Sequence, residues 1–265
     1  MKIDRERVKN AFADYTAAYD ITDDKIRLKV EHTDFVADHS EEIAKSLELV
    51  SEDIDLAWLI GMLHDTGRFE QLRRFNTFND GESINHAEFG ADLLFGDDKL
   101  IFKFIDEPVS DDERTDFQII EDAIRYHNRY RYPKNLDERT LLFTKIIRDA
   151  DKIDIIRVQT AFPLEVIYNV SSDDLYNCEI TPEVLNAMQE HHAVLRSLKK
   201  TPVDHVIGHL SLLFELEFDI SLLIVARDGH VKKLLSFESN NPKTQEQMCI
   251  VRKEINTLLS VDSKF

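Results

Sequence analysis

Apolar residues recur at intervals of three and four along most of this chain, the spacing of helices that bury one face. Residues 4–19 predict a first amphipathic helix. Residues 24–49 predict a second, with Val36, His39, Ile43 and Leu47 on one stripe that His32 continues towards the N-terminus. A third, near 53–65, carries Leu56, Leu59, Ile60 and Leu63. Ser51 is its expected cap, without a capping box because Ile54 stands at N3. Gly67 is its expected C-terminal stop. A loop is predicted around Asn76–Ser83, then a short helix over 85–95 ended by Gly96. Residues 116–127 place Phe117, Ile120, Ile124 and His127 on one side of a further helix. NRYRYPKN is a loop punctuated by Pro133, and a long helix follows at 137–158. Beyond Pro163 the pattern weakens. Residues 182–200, 203–218 and 243–259 predict helices, and SLLIVARDGHVKKLLSF is compatible with helix or a short β-hairpin around Asp228-Gly229.

The bulk numbers agree with an all-α class: 43% apolar residues over 265 positions support a real core, and only 7 Gly and 6 Pro are present. The pattern divides the chain into 1–160 and a mostly helical 161–265. A net charge of −18 disfavours polymeric nucleic acid and anionic membranes as partners. Cys178 and Cys249 make no disulfide framework. The charged start MKIDRERVKNAF lacks a signal core, and the apolar stretch near Leu210–Ala226 is broken by Glu215, Glu217 and Asp219. A cytoplasmic location is the expectation, and a homo-oligomer is left open.

The candidate chemistry is a set of four histidines and two aspartates: His32, His64, Asp65, His86, His127 and Asp151, with Asp149 not separated from Asp151 by helical spacing. Nitrogen and carboxylate donors together suit Mn, Fe, Co, Ni or Zn rather than Ca or Mg. Six protein ligands are too many for one catalytic ion that keeps an open position. They suit two ions sharing Asp65, acting as Lewis acids that generate hydroxide near neutral pH. A lone histidine on an apolar helix is more often a hydrogen-bonded core residue; it is the ordered set that carries the reading.

EHTDFVADHSEEIA, WLIGMLHDTGRFEQ, INHAEFGADLL, IRYHNRY and IIRDADKIDIIR together resemble the HD superfamily of metal-dependent phosphohydrolases, in the order H, HD, H, H, D. The resemblance covers residues 32–151 and implies an HD-domain helical bundle with additional C-terminal helices packed on it. It implies one ion on His32, His64, Asp65 and Asp151, and a second on Asp65, His86 and His127. It selects Asp151 over Asp149. YHNRYRYPKN has a single histidine and no Gly-Tyr-Pro, which argues against a cyclic dinucleotide substrate; the guanosine tetraphosphate branch is also a poor match, its ED motif not being clear here.

Arg68, three residues past Asp65, matches the basic position of the family's signature. With Asp65 it is the expected catalytic residue, Arg68 taking phosphate oxygens. Arg68, Arg73, Arg129 and Lys152 are the expected substrate contacts, with Arg74 and Arg131 as weaker neighbours. His39 is read as a neighbour of the set, His191-His192 as exposed, and His205/His209, spaced i, i+4 without an intervening glutamate, as an unfavoured second metal pair. The expected function is hydrolysis of a phosphate ester, mono- or diester, of a nucleotide or similar small anionic molecule, by a metal-activated hydroxide. The alternatives are a di-iron oxygenase of the same superfamily and a non-catalytic ligand-binding module.

Overall fold

A computed structural model describes residues 1–261, and among these every regular element is a helix. The chain divides into two compact units, Met1–Asp151 and Lys152–Phe265.

The first unit comprises α1 (Arg5–Thr16), α2 (Asp24–Ser46), α3 (Ser51–Leu63), α4 (Thr66–Phe75), α5 (His86–Phe95), α6 (Asp111–Tyr126) and most of α7 (Glu138–Val158). Its axis is α3. Leu56, Ala57, Trp58, Leu59, Ile60, Met62 and Leu63 are all buried, so this helix is apolar on every side and must be surrounded. α2 packs along it. A Cβ added at Gly61 would stand 2.6 Å from the Cα of Ala37, so only glycine lets these two backbones approach so closely. Arg5 lies over the Trp58 ring, 4.8 Å from its centroid.

Side-chain caps set several helix starts. Asp4 accepts from Arg7 N, Asp23 from Lys25 N, Asn85 from Ala87 N, and Ser110 from Glu113 N. Asp111, Asp112 and Glu113 crowd the first turn of α6, where the helix dipole favours negative charge. That turn starts six residues before the apolar pattern does. Ser51 is not a cap: Val50 occupies the capping position with no side-chain bond, and Ser51 is already helical.

Gly67 does not end a helix either. α3 stops at Leu63, the backbone breaks at Asp65 (φ −103°, ψ 16°), and Gly67 is the second residue of α4. Its role is contact: a Cβ there would stand 2.3 Å from the carbonyl oxygen of His86 and 2.8 Å from Gly90 N. α4 and α5 therefore cross backbone against backbone at a glycine pair. Gly96 does follow the end of α5, its N–H donating to Asp92 O at 2.9 Å.

The second unit contains the end of α7, then α8 (Leu164–Tyr168), α9 (Ser172–Asn177), α10 (Pro182–Gln189), α11 (Val203–Leu210), α12 (Asp219–Asp228), α13 (His230–Leu235) and α14 (Pro242–Val261). The stretch that allowed a hairpin is instead two helices divided at Gly229, which takes φ +72°. The expected helices over 182–200 and 203–218 are shorter, continuing as loop and single 3₁₀ turns at Arg196–Leu198 and Ser211–Glu215. The core includes Leu175, Val184, Met188, Val206, Ile207, Leu210, Ile224, Leu234, Met248 and Val251. Asp204 is fully buried and accepts from Thr181 N, Thr181 Oγ1, Lys200 N and Thr201 N at 2.6–2.9 Å. Cys178 and Cys249 are free thiols. No helix among the described residues is long and apolar enough to cross a membrane.

Candidate metal centre

Five segments of the first unit deliver six side chains to one place. His32 comes from the middle of α2, and His64 and Asp65 from the break between α3 and α4. His86 is the first residue of α5, His127 the residue after α6, and Asp151 lies in α7. His32 and His64 are fully buried, and Asp65, His86 and His127 nearly so.

Asp65 stands among them, and its two oxygens have different nearest histidines. Oδ2 lies 3.5 Å from His32 Nε2 and 3.6 Å from His64 Nε2. Oδ1 lies 3.3 Å from His86 Nε2 and 3.9 Å from His127 Nε2. On the first side, His32 Nε2 is 3.3 Å from His64 Nε2 and 3.2 Å from Asp151 Oδ1. On the second, His86 Nε2 is 3.1 Å from His127 Nε2. Donors about 2.0–2.2 Å from one ion and about 90–110° apart would stand about 2.8–3.6 Å from each other. Most of these spacings lie in that range. The ligand atoms of His32, His64 and Asp151 fall within 4.8 Å of one another, as do those of His64, Asp65 and His127.

The ring tautomers suit cation binding. His64 Nδ1 is 2.7 Å from Gly61 O and His127 Nδ1 is 2.7 Å from Ile124 O. A carbonyl only accepts, so Nδ1 carries the proton and the Nε2 lone pair points inward. Burial keeps the rings neutral. It lowers the pKa of His64, pushes His86 down to about 4 with Arg68 assisting, and pushes His127 down to about 4 with His64 assisting. Burial opposes ionisation of the acids, yet the Lys29 ammonium holds Asp65 well below the usual carboxylate range, and the hydrogen bond with His32 does the same for Asp151. Neutral imidazoles around ionised carboxylates form a donor set for a divalent ion.

The expected substrate contacts are placed unevenly. Arg68 borders the cluster: its Nη1 donates to Gln71 Oε1 (2.9 Å), Phe78 O (2.7 Å) and Asp80 Oδ1 (2.9 Å), and its Nε is buried without a hydrogen bond, 3.5 Å from Asp65 Oδ1. Arg73 and Arg74 instead both pair with the buried Glu70 at 2.5 Å, and Arg73 covers Tyr19. Arg129 pairs with Glu88 at 2.9 Å and lies over Tyr126, and Arg131 lies over Tyr130. Lys152 Nζ donates to Glu215 O at 3.0 Å within the second unit. His39 is buried and tilted against Phe35. His191 and His192 are exposed, and His191 pairs with Glu254. Asp149 is fully buried, but the carboxylate that reaches His32 and His64 is that of Asp151.

Three participants escaped the sequence reading. Lys29 Nζ lies 2.6 Å from Asp65 Oδ2; its position three residues before His32, on the same helix face, was an available signal. Asp80 Oδ2 lies 2.7 Å from His86 Nδ1, and Asn128 Nδ2 donates to Asp80 Oδ2 and Asn85 Oδ1. Asp80 lies in a loop, where no periodicity marks a residue. Asn128 was legible only as the neighbour of His127.

A family model described as the HD domain matches residues 30–156, a span that contains all six converging residues and begins one position after Lys29. No curated protein and no solved structure matches the chain.

Proposed function

With residues 30–156 forming an HD domain, we propose that the chain is a metal-dependent phosphohydrolase with two ion positions, acting on a nucleotide or a similar small phosphorylated molecule. The observation that carries this reading is the division of Asp65, one oxygen facing His32 and His64 and the other facing His86 and His127. A carboxylate so placed can bridge two cations, with Asp151 completing the first position. Divalent first-row ions, if held there, would supply Lewis acidity and would lower the pKa of water towards neutral.

The chain itself supplies binding and orientation. Arg68 is tethered through Nη1, which leaves Nη2 for a phosphate oxygen. Lys29 brings a second cation to the Oδ2 side of Asp65. Burial of the donors keeps competing water away and strengthens the field of every charge nearby. In a chain of net charge −18, these local cations are what admits an anionic substrate.

The test is release of phosphate or alcohol from a chromogenic phosphate ester with Mn²⁺, followed by a screen of nucleotides. Hydrolysis should vanish on chelation and in Asp65→Ala. Hydrolysis that survives both overturns the metal mechanism. Substrate-dependent O₂ uptake without phosphate release would assign an oxygenase instead.

A further inference from the structure

The histidines of the cluster are not anchored alike. His64 and His127 each follow a helix, and each donates Nδ1–H to the carbonyl three residues earlier, at 2.7 Å. Their orientation comes with the helix that precedes them. His86 begins a helix, so no preceding turn can supply that carbonyl. Its Nδ1 donates to Asp80 Oδ2, 2.7 Å away, in the loop before α5.

Asp80 is in turn held by four groups from three segments. Oδ2 also accepts from Asn128 Nδ2 at 3.1 Å, and Oδ1 accepts from Arg68 Nη1 and Gln71 Nε2, both at 2.9 Å. The loop is braced around it: Asn79 N donates to Thr77 Oγ1, Gly81 N to Asn79 Oδ1, and Ser83 Oγ to Asn79 O. Asn128 is the residue next to His127, so one carboxylate ties both segments that carry the Oδ1-facing histidines.

Building on the two-ion reading above, we propose that Asp80 makes the His86–His127 position competent to hold its ion. It is a positioning residue. Its acceptance of the Nδ1 proton fixes the tautomer of His86, aims the Nε2 lone pair at the space beside Asp65 Oδ1, and makes that nitrogen more basic. His32 and His64 lie against the other oxygen of Asp65, with Asp151 beside them, so the ion position on that side should keep its affinity when Asp80 is changed.

The experiment counts bound Mn²⁺ by calorimetry and elemental analysis in the full-length native chain, Asp80→Asn and Asp80→Ala. No substrate is involved, so a wrong substrate class leaves the result readable. The native chain should bind two equivalents. Asp80→Ala should bind one, with the affinity of the remaining equivalent unchanged. Asp80→Asn keeps an acceptor but not the charge, and its second equivalent should bind about 10–100-fold more weakly. Two equivalents at native affinity in Asp80→Ala overturn the proposal. Equal loss of both equivalents in the two variants also overturns it, because Asp80 would then prop up the whole cluster. A single equivalent in the native chain overturns the two-ion reading itself, and this proposal with it.

Discussion

Each unit of the molecule brings histidines together, and the two groups behave differently. In the first unit, rings from separate helices are pinned through Nδ1 and turn Nε2 towards shared carboxylates. In the second, His205 and His209 lie one turn apart on α11 and stack on Tyr168, with ring centroids 5.2 and 5.7 Å away. The Tyr168 hydroxyl meets His209 Nδ1 at 3.1 Å. The Lys199 chain lies against Gly208 between them, and burial followed by Lys199 pushes the pKa of His209 well down. Asp204, the acid on the same helix, is engaged by its four donors. A chelating interval along one helix is therefore not sufficient for a metal centre. Convergent lone pairs and a carboxylate with room to share are also needed.

The sharpest way to break this contrast is to compare Asp65→Ala with His205→Ala. Asp65→Ala should weaken Mn²⁺ binding at both positions by more than about 100-fold, since loss of a mere outer partner already costs about 10–100-fold. His205→Ala should leave the metal count untouched. An equivalent lost from His205→Ala would erase the distinction.

Acid should strain both groups, with metal separating them. Histidines with lowered pKa values take up protons on unfolding once the pH falls below about 6.5, so the unfolded state binds more protons and stability falls with falling pH. For His86 and His127, held at about 4, the loss between pH 6.5 and 5 is on the order of 2 kcal/mol each. Denaturant unfolding of chelated protein at pH 7 and pH 5 measures the sum. Mn²⁺ should change the contribution of the first group and leave that of His209. A stability that is flat across this range would contradict the neutral buried rings.

Glycine substitutions compare the units more gently. Gly67→Ala forces a methyl into the α4–α5 crossing and should cost about 1–3 kcal/mol, with weaker binding of the ion beside His86. Gly229→Ala meets nothing within 4 Å and should cost about 1 kcal/mol, from its positive φ alone, without altering metal binding. Thermal unfolding with a metal titration reads both. A comparably modest effect is expected for Lys29→Met: KM for a phosphate ester should rise about tenfold, equivalent to about 1.4 kcal/mol, with metal stoichiometry retained. An unchanged KM would remove Lys29 from substrate binding.

Periodicity located α2, α3, α5 and α7 because each carries apolar residues at helical spacing over most of its length, and the ordered donors could be read because HD and its partners sit at the ends of such helices or within them. What failed had local causes. Gly67 looked like punctuation because glycine serves both helix ends and close crossings, and only the partner Gly90 distinguishes them. The start of α6 was hidden because Asp111–Thr115 is polar and is held by its Ser110 cap and the dipole rather than by burial. Leu164–Asn177 forms two helices too short to show a period. Asp80 was invisible because its importance lies in what reaches it from Arg68, Gln71, His86 and Asn128, which no interval along the chain expresses.

Trp58 is the single tryptophan of the chain, and it sits inside α3, beneath Arg5. Its fluorescence is thus a private reporter of the first unit, blind to melting elsewhere, whereas circular dichroism sees every helix. Recorded together during unfolding, the two signals would reveal whether the half with the candidate metal centre and its companion come apart in one step or two.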